Sequence, residues 1–186
     1  MRLSRYIAQA GVIAAVYAVL TFVTIQNPLG YGPVQLRLSE ALTVVACLTP
    51  AAIPGLALGS VVANAAMLPI FGPVALLDVG FGSLGTLLGA VWMWRFRKRP
   101  RIALLGPIVT NALIVPAYLP VVLAATGFYD LTLFGINVAS SWPTMYAFGV
   151  VTVAAGQFVA VYVLGGVVLA ALKRLGFEQM FGVTED

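Results

Sequence analysis

Apolar residues run along this chain in long, nearly unbroken stretches, separated by proline, glycine and a few short charged strings. Polar positions do not recur at a helical or strand period, so the pattern fits helices surrounded by lipid rather than helices packed on a water-facing core. Six helices are predicted, near residues 5–25, 39–49, 53–70, 75–94, 102–126 and 145–172. The second is short for a full crossing. It joins the third through Thr49-Pro50-Ala51-Ala52-Ile53-Pro54, where proline forces a turn or break. The first stretch, residues 6–25, is too long for a signal-peptide core and no small-residue cleavage site follows it, so it is expected to stay as a span. No period of 20 to 50 residues repeats, and no inverted pair of halves is visible. The expectation is one all-α integral membrane domain over residues 1–186, a bundle of six transmembrane helices.

Composition sharpens this picture by exclusion. Hydrophobic residues make up 61% and charged residues 9% of the chain, against about 25% charged in an ordinary soluble domain, and the mean hydropathy is +1.03. Cys47 is the single cysteine and histidine is absent, which excludes a disulfide framework, a thiolate zinc site, a Cys/His nucleophile pair and a histidine relay. No metal or cofactor site is expected. No GxxxxGK[ST] string occurs, so any ATP-driven step would need another chain. The net charge of +4 does not call for nucleic acid, because half of the ten basic residues fall in the run at 95–101. That run, Arg2 with Arg5, and Lys173 with Arg174 all lie at or beyond the ends of the predicted helices. Six crossings place all three groups, and both termini, on the cytoplasmic side. The outer loops, near 26–38, 71–74 and 127–144, contain one basic residue, Arg37.

Polar side chains at membrane depth are costly, about 2.5–3.5 kcal/mol for a central charge on insertion scales, and are therefore informative. In the string Val34-Gln35-Leu36-Arg37-Leu38-Ser39-Glu40, Gln35, Arg37 and Ser39 alternate on one side of an extended segment. They form a polar rim, or else Ser39 caps the second helix, Glu40 complements its dipole and Arg37 anchors at headgroups. Asn64 and Asp78 belong to the outer leaflet, while Asn111 and Gln157 lie deeper. Converging, they make a cavity open to the outside; otherwise they are interhelical hydrogen bonds. Tyr31, Phe128, Trp142 and Tyr146 are placed either to stack on a flat ligand or to form the interfacial aromatic belt. Ridges of small residues occur at Ala10, Ala14 and Ala18, at Gly55, Gly59 and Ala63, and at Gly82, Gly85 and Gly89. Each suits close helix packing, inside the bundle or against a partner.

The strings YGPVQLRLSEALTVV, IPGLALGSVVANA, LLDVGFGSLGTLLGA and PIVTNALIV resemble, in order, the QueT family, membrane-embedded substrate-binding components of energy-coupling factor transporters. The resemblance runs from about Ala10 to Leu172. It implies capture of a queuosine precursor, 7-cyano- or 7-aminomethyl-7-deazaguanine, and docking on a transmembrane coupling subunit with two cytoplasmic ATPases in the plasma membrane. It further implies a ligand site at Gln35, Arg37, Ser39, Glu40, Asn64, Asp78 and Asn111, and a docking ridge at Ala10, Ala14 and Ala18. One position departs: the family typically carries Gly-Glu near the last helix, where this chain has Gly156-Gln157. A glutamine offers one acceptor and one donor where a carboxylate accepts twice. If Gln157 meets the guanine edge, Glu40 or Asp78 must supply the missing acceptor; otherwise the ligand is a related heterocycle. Two further readings stay open, a solitary transporter and a structural membrane subunit. An enzyme using Glu40 or Asp78 as acid or base lacks a nucleophile or metal to work with.

Overall fold

The structure is a computed structural model that describes residues 3–25, 36–125, 132–133, 136–137, 141–177 and 181. Gln35, Tyr31 and Phe128 lie outside the described residues, as do Arg2 and the acidic end of the chain. Helix α1 is Leu3–Ile25, α2 is Leu38–Cys47, α3 is Ala52–Ala65 and α4 covers residues 75–95. Helix α5 is Leu105–Ala125 and α6 is Trp142–Arg174. Between α5 and α6, Thr132–Leu133 pairs antiparallel with Ile136–Asn137. Among the described residues, four stretches are long and apolar enough to cross a membrane: Leu3–Thr24, Ala52–Arg95, Pro100–Val122 and Trp142–Arg174.

The stretch Ala52–Arg95 is not one rod. Met67 ends the run after α3, a short turn Leu68–Phe71 follows, and Gly72 then takes φ 67° and ψ −159°. Only glycine occupies that region without strain, and Pro73 next to it prevents a helix from continuing through. The chain reverses there, and Ser83–Arg95 returns alongside α3. Alanine at Gly72 is expected to cost about 1–3 kcal/mol of backbone strain, read as a lower thermal midpoint in detergent. An unchanged midpoint would show that the reversal does not depend on this backbone shape.

Helix α2 is the central element. It is wound as a tight 3-10 helix and buries Ser39, Glu40, Thr43, Val44, Val45, Ala46 and Cys47, so it is covered on nearly every side. Helix α1, α4 and the Phe158–Gly165 part of α6 pack around it. At about 2 Å per residue its 10 residues reach roughly 20 Å, short of the ~30 Å hydrocarbon core. Its C-terminal end is tied to the start of α1, where the Thr49 hydroxyl donates to Gln9 Oε1 at 3.1 Å. Its N-terminal end therefore stops inside the bundle and carries Arg37 and Glu40 with it.

Helices α1 and α3 run parallel in very close contact. A β-carbon added at Gly55 would lie 2.8 Å from the Ala10 carbonyl oxygen, and one at Gly59 would lie 2.8 Å from that of Ala14. Ala14 and Ala18 are buried. The alanine ridge thus packs against α3 within the chain. The outward face of α1 carries Ala8, Gly11, Val12 and Ala15 instead. The Gly82, Gly85 and Gly89 ridge is also internal, since β-carbons at Gly85 and Gly89 would crowd Asn111 and Pro107 of α5.

Candidate ligand site

Inside the bundle Arg37 meets polar groups of α3 and α4. The residue precedes α2 in an extended conformation, φ −101° and ψ 115°, and its side chain is only 8% exposed. Arg37 Nη1 donates to Asn64 Oδ1 at 3.3 Å, and Nη2 lies 3.9 Å from Asp78 Oδ1. The headgroup-anchor alternative for Arg37 fails on this burial. The capping alternative for Ser39 fails as well, because α2 begins at Leu38 with no side-chain cap and Ser39 is fully enclosed.

Asp78 opens a π-helical turn, Asp78–Gly82, at the start of the regular part of α4. Such a turn admits an extra residue and commonly marks a functional position within a helix. Its carboxylate Oδ1 accepts from the Tyr118 hydroxyl of α5 at 2.7 Å, and its backbone carbonyl accepts from Asn64 Nδ2 at 2.9 Å. Asn64 therefore uses both ends of its amide, one for Arg37 and one for the turn that holds Asp78. Below it, Ser60, Ser83 and Thr86 form a hydroxyl chain, with Ser83 donating to Ser60 at 3.2 Å and Thr86 within 3.5 Å of Ser60. Hydroxyls linking α3 to α4 satisfy one another where lipid and apolar side chains offer no partner.

Glu40 is reached from the other side. It is 2% exposed, and its Oε1 accepts a hydrogen bond from the Tyr17 hydroxyl of α1. Of these two carboxylates, Asp78 faces the Arg37 guanidinium and Glu40 is held by the Tyr17 hydroxyl.

Four buried polar atoms have no hydrogen-bond partner among the described residues: Ser39 Oγ, Glu40 Oε2, Asn111 Nδ2 and Gln157 Oε1. Native interiors leave few such groups, and each costs about 1–3 kcal/mol when unpaired. Asn111 packs against α4 at Gly85. Gln157 ends the α-helical part of α6, directly before a π-helical segment, Phe158–Gly165, which packs on α2. All four atoms belong to residues singled out in the sequence. Tyr17, Tyr118, Ser60, Ser83 and Thr86 were not singled out, although Asn111 and Tyr118 stand seven residues apart on one face of α5, and Ser60 and Asn64 four apart on one face of α3. Trp142 and Tyr146 stack on each other, with ring centroids 5.2 Å apart, and Trp142 is exposed.

Residues 7–174 match the family model described as QueT transporter. No curated protein and no solved structure matches the chain.

Proposed function

The chain belongs to the QueT transporter family, and we propose that it is the membrane-embedded subunit that captures a 7-deazaguanine precursor of queuosine from outside the cell. In this reading the protein is a single domain that crosses the plasma membrane six times with both termini in the cytoplasm. The division of Ala52–Arg95 at Gly72 supports the count, because 44 residues would make a rod of about 66 Å, twice the core of a bilayer. The ligand is read by Ser39, Glu40, Asn111 and Gln157, while Arg37, Asn64 and Asp78 hold the cluster together, and Gln35 is assigned to the same site from the sequence alone. The observation that carries the proposal is the set of unpartnered buried atoms: a flat heterocycle rich in donors and acceptors would satisfy them together.

Energy for uptake would come from a transmembrane coupling subunit and two cytoplasmic ATPases, since this chain has no nucleotide-binding loop. With the alanine ridge turned inward, the docking face would be the exposed small-residue side of α1, Ala8, Gly11 and Ala15.

Calorimetric titration of the detergent-solubilised protein tests the reading. Saturable binding of 7-cyano- or 7-aminomethyl-7-deazaguanine in preference to guanine is expected, at least tenfold weaker in Glu40→Gln, the equivalent of about 1.4 kcal/mol. A folded protein that binds neither compound would refute the assigned substrate. Uptake in membranes lacking the partner subunits would refute the coupling.

A further inference from the structure

We propose that Tyr17 is a positioning residue of this ligand site, engaging Glu40 Oε1 so that Oε2 alone is left to accept an N–H from the ligand. The inference rests on the reading of the site as one for a deazaguanine and says how its donor edge is selected.

Among the described residues the bundle has two carboxylates, Glu40 and Asp78, and they are placed differently. Asp78 Oδ1 already accepts from Tyr118 and faces Arg37, so this oxygen is engaged in holding α4 to α5 and to Arg37. Glu40 is bonded on one oxygen only, by Tyr17, while Oε2 is buried without a partner among the described residues. A free carboxylate offers two oxygens and can take a pair of parallel N–H donors in several orientations. A carboxylate with one oxygen engaged by a rigid phenol offers a single acceptor in one direction.

Tyr17 is well suited to impose that direction. It is 1% exposed, and its base is held close to α3, where a β-carbon on Gly59 would come within 2.9 Å of Tyr17 Cβ. An enclosed side chain anchored in this way has little room to follow Glu40 if the carboxylate turns. The second unpartnered acceptor, Gln157 Oε1, comes from α6, whose following turn packs on α2, and Asn111 Nδ2 supplies a donor from α5. Two acceptors and one donor match a ring edge with two N–H groups and one acceptor, as in a 2-amino-4-oxopyrimidine ring. They do not match the same ring without its exocyclic amine, because one acceptor would then remain buried and unpaired.

The test compares 7-aminomethyl-7-deazaguanine with its counterpart lacking the 2-amino group, titrated into wild type, Tyr17→Phe and Glu40→Gln. Wild type is expected to favour the aminated compound by at least a hundredfold. Tyr17→Phe keeps the ring in place but lets the carboxylate swing toward Arg37, so the preference is expected to fall by about tenfold. In Glu40→Gln the tyrosine holds the amide oxygen, the amide nitrogen then faces the ligand, and the preference falls further or inverts. A merely structural tyrosine would weaken both compounds alike; an unchanged ratio in the two variants overturns the role of Tyr17. Wild type that binds neither compound would overturn the site itself, and this inference with it.

Discussion

Arg37→Met is expected to abolish measurable ligand binding and to destabilise the protein by about 3–5 kcal/mol, the cost of leaving a buried charge without its partner. Arg37 is nearly enclosed, donates to Asn64 and is the cation facing Asp78. Its removal leaves the Asp78 carboxylate with the Tyr118 hydroxyl but, among the described residues, without its ion-pair partner, in surroundings where water cannot replace it. The effect is distinguishable from loss of packing, because methionine keeps most of the volume of the arginine stem. Arg37→Met/Asp78→Asn removes both charges together and should recover much of the stability, since the asparagine still accepts from Tyr118, yet it should not recover binding. Thermal unfolding and titration on the two single variants and the double variant give the coupling energy directly. A single variant as stable as wild type would mean that the 3.9 Å pair contributes nothing to the fold.

How much of this site was legible beforehand depended on whether a residue was polar. Arg37, Asn64 and Asp78 stand out in apolar surroundings, and the structure joins them directly. Glu40 stood out for the same reason, but its partner did not: a tyrosine in the middle of an apolar helix reads as packing or interfacial belt until the neighbouring helix is known. The break between α3 and α4 was visible in Phe71-Gly72-Pro73, whereas the π-helical turn at Asp78–Gly82 was not, because it depends on which side chains insert between helices. Facing was the least legible property. In α1 the alanines at 10, 14 and 18 and the small residues at 8, 11 and 15 are equally smooth. Nothing in a uniformly apolar helix says which ridge meets α3 and which meets lipid. The glycines of α3 decide it, since Gly55 and Gly59 leave room only for the first ridge.

That contact gives the second large effect. Gly59→Leu is expected to push α1 away from α3 and to destabilise the protein by about 1–3 kcal/mol or more, because its β-carbon alone would sit 2.8 Å from the Ala14 carbonyl oxygen and 2.9 Å from Tyr17 Cβ. Neither obstacle is the free end of a flexible side chain, so relief requires the helices to part. Separation draws Tyr17 off Glu40, so ligand affinity should fall along with stability. The control lies on the outward face of α1. Gly11 has nothing within 4 Å of where a β-carbon would stand, and leucine is a better helix former than glycine by somewhat under 1 kcal/mol. Gly11→Leu should therefore leave the isolated protein at least as stable and its ligand affinity unchanged, while coupled uptake is lost if this face docks the partner subunit. Thermal unfolding, titration and uptake measured on the pair separate the two faces of α1. Equal behaviour of the two variants in all three would mean that neither the close α1–α3 contact nor the outward ridge has the part assigned to it.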